Sequence, residues 1–235
     1  MKQSSIRREA YLVPLALVVL MIIIQLIKPT GCFGIIPRYV QGLRGILLAP
    51  LFHSGWKHLF SNAFPILTLG FMIFSFYRQV AYLLIIFGWL LTGTLVWFFA
   101  DLGLLPSDTG IGCHIGASGL VYVLASFVFS SGIFRRSSPL IAVSLIVVFL
   151  YGSMLWGIFP EEVIRYSAEQ ANISWESHAA GALVGTSFAL IWKNIGPQKE
   201  RWAWQEKNYN SQKDEELWQR YLESENEENK IKSTE

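Results

Sequence analysis

Residues 114–129 read HIGASGLVYVLASFVF: a histidine, a run of small residues holding Ser118 between Ala117 and Gly119, and then a nearly unbroken apolar stretch. The stretch lies in a window, 109–134, with no Asp, Glu, Lys or Arg, and five more such windows occupy 10–27, 58–77, 79–100, 137–160 and 177–192. A helix rising about 1.5 Å per residue crosses a bilayer core about 30 Å thick with roughly 20 apolar residues, about 17 being enough. Every window therefore reads as a helical span, the last as the shortest. A soluble helical core would need polar faces at helical spacing, and 82–99 and 140–159 carry almost none. Composition agrees: of 235 residues, 52% are hydrophobic and 15% charged, too apolar a balance for a soluble domain of this size.

Lys and Arg near the span ends orient the bundle. Lys2, Arg7 and Arg8, Arg78, Arg135 and Arg136, and Lys193, Lys199 and Arg201 share one side, expected to be cytoplasmic. Asp101, Asp108, Glu161, Glu162, Glu169 and Glu176 leave two loops on the other side acidic, and only the first outer loop, with Lys28, Arg38, Arg44 and Lys57, is basic. The sequence thus predicts an all-α membrane protein of six transmembrane helices. A cytoplasmic N-terminus spans 1–9, a helical domain spans 10–193, and a charged cytoplasmic tail spans 194–235. The expected spans are about 10–27, 58–77, 79–100, 115–134, 139–159 and 177–193, with an outer loop at 28–57. The first span reads as a retained helix, since Lys28-Pro29-Thr30 is no small-residue cleavage site. Within the outer loop, GILLAPLFHSGW (45–56) is too short to cross and is expected to dip into the interface or pack on the bundle. Cys32 and Cys113 both fall on the outer side and are read as two unpaired thiols, a disulfide being the alternative.

Polar side chains inside lipid are expensive, so each needs a partner or a task. Ser118 lies 17 residues, about 25 Å of helix, from Arg135; His178 lies 15 residues, about 22 Å, from Lys193; Asn62 lies 16 residues, about 24 Å, from Arg78. Three helices thus carry Asn62, Ser118 and His178 to nearly one level. Gly181 and Gly185, three and seven residues after His178, share its helix face, and their G-x-x-x-G spacing lets another backbone come close.

A serine hydroxyl becomes a nucleophile when an imidazole removes its proton, and the same imidazole can protonate a leaving amine. Ser118 and His178 suit those roles. No Asp or Glu lies within any window to orient the ring, so packing must do so, and Tyr122, one turn beyond Ser118, is the candidate support. His58 and Asn62, spaced i and i+4, offer N–H donors for a developing oxyanion, joined by the backbone N–H of Ser118 at the start of its helix.

HSGWKHLFSN, GASGLVY and SHAAGALVG, in this order on the second, fourth and sixth spans, resemble the three signature segments of the rhomboid family of intramembrane serine proteases; the likeness runs from about Arg44 to Trp192. The resemblance implies a six-helix bundle whose serine-bearing helix starts inside the membrane, below a water-filled cavity open outward. It implies Ser118 as nucleophile, His178 as base, and His58 and Asn62 at the oxyanion site. Gly116 would lie in the loop before the serine, Tyr122 would pack on the catalytic imidazole, and His53 would be a structural hydrogen-bonding residue. It also implies transmembrane segments of other proteins as substrates, cut near the outer face after a small residue and before helix-destabilising ones, with no cofactor, no metal and no nucleic-acid partner. The expected location is a bacterial inner membrane. Where the family often has Trp-Arg eight residues before the first histidine, this chain has Leu43-Arg44, nine residues before His53.

His114 reads as a solvated loop residue above the serine. A metal site built from His53, His58, His114 and His178 would lack carboxylates at its level. Two rival functions remain: a catalytically inactive rhomboid-like protein that binds transmembrane clients, whose kind usually lacks the serine or histidine kept here, and a His/Asn-lined transporter, which would spread ionisable residues from side to side.

Overall fold

The computed structural model describes residues 8–27, 30–102, 112–159, 174–198 and 212–232. Lys2, Arg7, Lys28, Asp108, Glu161, Glu162, Glu169, Lys199 and Arg201, on which the orientation partly rests, lie outside them. Among the described residues the chain is helical, and the one strand-like feature is an isolated antiparallel bridge between Ile35 and His114. The helices are α1 (Glu9–Ile27), α2 (Leu43–Leu48), α3 (Trp56–Phe76), α4 (Arg78–Phe99), α5 (Ser118–Arg135), α6 (Ser138–Tyr151) and α7 (Trp175–Ile191). Three 3₁₀ segments join them: Val40–Gly42 and Ala49–Leu51 flank α2, and Gly152–Ile158 continues α6. A separate unit, 199–235, contains α8 (Gln212–Lys232), an acidic helix on which the Trp218 and Tyr221 rings stack.

Five helices are long and apolar enough to cross a membrane: α1, α3, α4, α5, and α6 with its 3₁₀ continuation. The protein is therefore a multi-helix membrane bundle. The sixth charge-free window carries α7, which at 17 residues is about 25 Å long and shorter than the other five.

Helix α5 sits at the centre, since 67% of its apolar window is buried against 22% for α1 and 22% for Ser138–Ile158. It packs on α3, α4, α6 and α7. The contact with α7 is close because it is made of glycines. A Cβ at Gly181 would run into the carbonyl oxygen of Gly119, and one at Gly185 into that of Val123. The G-x-x-x-G face thus lies directly against the α5 backbone and brings His178, one turn before Gly181, beside the start of α5. At the far end Arg135 is buried, and both terminal nitrogens of its guanidinium are engaged. It donates to the carbonyls of Trp192 (2.9 Å), Ile195 (2.5 Å) and Pro197 (3.2 Å), where the chain leaves α7, and lies over the Tyr77 ring at 5.3 Å.

The apolar piece of the outer loop packs on the bundle. Trp89 of α4 donates its indole N–H to Ile46 O at 3.0 Å, and a Cβ on Gly93 would lie 3.1 Å from Ile46 Cγ2. Arg44 donates to Cys32 O at 2.8 Å and lies over the Phe33 ring, so the loop is anchored although Leu43 stands where tryptophan is usual. The cysteines correct the sequence reading: Cys32 and Cys113 form a disulfide, with Cα atoms 6.1 Å apart. The Ile35–His114 bridge aligns the two segments so that the thiols meet, a proximity across 81 residues that no local pattern announces.

Candidate active site

The site starts at the head of α5. The charge-free window containing α5 begins at 109, yet α5 begins only at Ser118, because Gly116 has φ +110°, a left-handed conformation that favours glycine. A second constraint acts there as well, since a Cβ on Gly116 would lie 2.6 Å from His58 Nε2. The segment is fixed by its own backbone: Gly116 N–H donates to Ala49 O at 2.9 Å and Ala117 N–H to His53 Nε2 at 3.4 Å. The next donor is the N–H of Ser118, at the first turn of α5, where a helix has no internal partner for it.

His178 is buried on α7, and its ring stacks on Tyr122 with centroids 4.2 Å apart and planes 16° from parallel. Its Nδ1 lies 2.8 Å from the carbonyl oxygen of Gly157 in the 3₁₀ segment after α6. A carbonyl only accepts, so Nδ1 carries the hydrogen and the neutral ring presents Nε2 as its basic nitrogen. Tyr122 is held in turn by donating its hydroxyl to Met154 O in the same 3₁₀ segment. Sequence reasoning found Tyr122 and missed Gly157, since a backbone acceptor has no residue-type signature. The only trace is steric: a Cβ there would strike the Tyr122 hydroxyl and come within 2.9 Å of His178 Nδ1.

A cavity of about 190 Å³ brings these groups together, lined among others by His58, Asn62, Ser118, Tyr122, Ser174 and His178. Among the described residues Ser118 and His178 share it without a direct hydrogen bond between their side chains. Asn62 donates one amide hydrogen to His58 O at 2.9 Å, leaving the second for a ligand. His58 Nδ1 lies 3.2 Å from Ser54 Oγ. His53 is buried outside the cavity, its ring edge-on to His58 at 5.0 Å. Burial first, and then the neighbouring His58, push its pKa from 6.5 down to about 4, with the backbone at Leu51 pulling the other way. It serves the loop as an acceptor for Ala117. Gly181 and Gly185 line the α5–α7 seam and not the cavity.

His114 corrects the sequence reading. Its side chain is only 10% exposed, with Nε2 3.2 Å from Asp101 Oδ2 and Nδ1 2.8 Å from Ser174 Oγ. Ser174 is the N-cap of α7, its hydroxyl oxygen accepting the Ser177 N–H at 3.2 Å. Serine followed by Glu176 in the first turn is a legible helix start, and it is the signal that could have found this residue.

A family model described as Rhomboid domain matches residues 40–194. Uncharacterized proteins of Mycobacterium tuberculosis (strain ATCC 25618 / H37Rv) and Mycobacterium bovis are each 36% identical to this chain over 160 residues, 67% of this chain and 62% of the relative. An uncharacterized protein of Mycobacterium leprae is 34% identical over 154 residues, 63% of this chain and 56% of the relative. The matched stretch spans less than two thirds of the length of these relatives.

Proposed function

The chain belongs to the rhomboid family, an intramembrane-protease-type family of integral membrane proteins, and we propose that it is a serine endopeptidase acting through a Ser118–His178 dyad on transmembrane segments of other proteins. The observation that carries this reading is the cavity lined by both Ser118 and His178, the latter with its Nδ1 tied to Gly157 O. The tie leaves Nε2 as the base. Ser118 Oγ adds to the scissile carbonyl while Nε2 takes its proton, and the imidazolium then gives that proton to the leaving amine. Water, activated by the same nitrogen, releases the acyl group.

The oxyanion would be met by the second amide hydrogen of Asn62, by His58 and by the Ser118 N–H. A helical segment hides its carbonyls in hydrogen bonds, so the substrate must unwind before the cut, which favours helix-destabilising residues after it. Gly157 O does for the ring what a carboxylate does in a triad, holding tautomer and orientation without placing a charge in the membrane.

The body 10–193 would carry the activity, with α7 as sixth span, both termini in the cytoplasm of a bacterium, and the tail 194–235 dispensable for catalysis. The Lys/Arg pattern supports that orientation, as does a disulfide on the opposite side, where oxidising conditions prevail. A cysteine at Ser233 that reacts with an impermeant reagent from outside intact cells would contradict it. Cleavage of a model transmembrane substrate by the purified chain, lost in Ser118→Ala, tests the function. Substrate bound but uncut by the wild type would point to an inactive client-binding protein.

A further inference from the structure

The geometry points to the Asp101–His114 pair as a positioning device that fixes the N-terminus of α7, and with it His178, relative to the loop ending at Ser118. The inference rests on the dyad reading above. For a dyad to work, two pieces of structure must be in register: the 112–118 segment and α7.

The segment is fixed to the outer loop and to α4 almost residue by residue. Gly112 N–H donates to Asp101 Oδ2 at 2.7 Å, Cys113 is bonded to Cys32, and His114 pairs with Ile35 through both backbone groups at 2.9 Å. Gly116 and Ala117 follow with Ala49 and His53. None of these contacts reaches α7. The seam of Gly181 and Gly185 sets how close α7 comes to α5, and Ser130 Oγ to Thr186 Oγ1 at 3.3 Å with Arg135 to Trp192 O at 2.9 Å hold the far half of α7, which leaves its first turn, at Ser174, to be fixed to the 112–118 segment.

The His114 side chain makes that link. Asp101 Oδ2, 3.2 Å away, is a carboxylate oxygen that only accepts, so Nε2 carries a hydrogen. On the other side Nδ1 meets the N-cap Ser174 Oγ at 2.8 Å, and His178 N–H bonds back to Ser174 O at 3.4 Å, one helical turn on. Ser174 Oγ also lies 2.9 Å from Ser177 Oγ and 3.1 Å from Glu176 Oε2. The link therefore holds in either state of the ring. A neutral ring accepts the Ser174 hydroxyl; a ring with both hydrogens donates to Ser174 Oγ while that hydroxyl turns to Glu176.

A separate observation singles out Asp101. It has φ +50°, two residues past the end of α4 at Phe99, a left-handed conformation that aspartate and asparagine adopt more readily than other non-glycine residues. Arg38, itself at φ +61°, braces the turn by donating to Ala100 O at 2.5 Å and to Asp101 O at 2.6 Å. Glycine, asparagine and aspartate all suit this backbone, but only the last two offer the side-chain oxygen that Gly112 N–H and His114 Nε2–H engage.

The test uses the purified full chain in detergent, with cleavage of a model transmembrane substrate, labelling by a fluorophosphonate and thermal midpoints measured on each variant. His114→Ala should lower kcat roughly 10- to 100-fold, as a displacement of about 1 Å does, while KM stays within about twofold. Asp101→Asn, which tolerates the left-handed conformation and keeps an acceptor oxygen, should stay within about threefold of the wild type. Asp101→Gly suits the left-handed turn but removes the acceptor of Gly112 N–H and His114 Nε2–H, so its kcat should fall toward that of His114→Ala. The double variant should be scarcely slower than His114→Ala alone. A purely structural pair would instead make activity follow the midpoint. Wild-type activity with His114→Ala within twofold of it, or a fully active Asp101→Gly, overturns the positioning role alone. A wild type that neither cleaves nor labels overturns the dyad reading and this inference together.

Discussion

His178 Nδ1 lies 2.8 Å from the carbonyl oxygen of Gly157, so the tautomer of the candidate base is fixed by a backbone group of a 3₁₀ segment. A Cβ at position 157 would come within 2.9 Å of that nitrogen and closer still to the Tyr122 hydroxyl. Gly157→Ala is therefore expected to shift the ring and lower kcat roughly 10- to 100-fold while the bundle stays folded. Turnover and circular dichroism on the same preparation check it, and an unchanged turnover would remove Gly157 from the positioning set.

Asn62 has one amide hydrogen committed to His58 O and one to spare. If the spare hydrogen meets charge that appears only in the transition state, Asn62→Ala should lower kcat by roughly 10- to 10³-fold with KM little changed. The lower bound reflects the remaining donors. A rise in KM at constant kcat would show that Asn62 binds substrate and does not stabilise the oxyanion.

The bundle was legible because six charge-free windows leave few alternatives; Asn62 and His178 were conspicuous because such side chains are rare inside lipid, and Ser118 because it lies among small residues at the level of His178. What escaped was everything carried by backbone or by pairing across the fold. Gly157 contributes a carbonyl, which every residue has. The disulfide needed the Ile35–His114 bridge to be visible, and His114 needed Asp101 and Ser174 on either side of it. The start of α5 at Ser118 is expected from the sequence, and Gly116 at φ +110° is its conformational reason.

His53 gives the stability a pH dependence. Its pKa is pushed from 6.5 to about 4 in the folded protein, so between those values the unfolded chain binds the proton and the folded chain does not. The contribution is complete above about pH 6.5 and is lost as pH falls toward 4. Thermal midpoints in detergent should drop across that window, and less so in His53→Gln. Parallel profiles for the two proteins would show that another group governs the acid limb.

The Cys32–Cys113 bond joins positions 81 residues apart and ends five residues before Ser118. Cross-links of this kind typically contribute roughly 2–4 kcal/mol. Reduction should lower the thermal midpoint and slow turnover, since it frees the segment that leads into α5. The Cys32→Ser/Cys113→Ser protein should be insensitive to reductant. Equal midpoints and rates for oxidised and reduced wild type would show that the bond carries no load at the site.

Reaction of the purified chain with a fluorophosphonate, followed by mass mapping of the adduct, reads the nucleophile itself. The dyad predicts one adduct, on Ser118, formed without added metal or cofactor and insensitive to chelator. It should vanish in Ser118→Ala and form far more slowly in His178→Ala, because an unactivated hydroxyl is a weak nucleophile. A transmembrane substrate still cut by folded Ser118→Ala protein, or an adduct mapped to another residue with Ser118 unmodified, would contradict the serine mechanism.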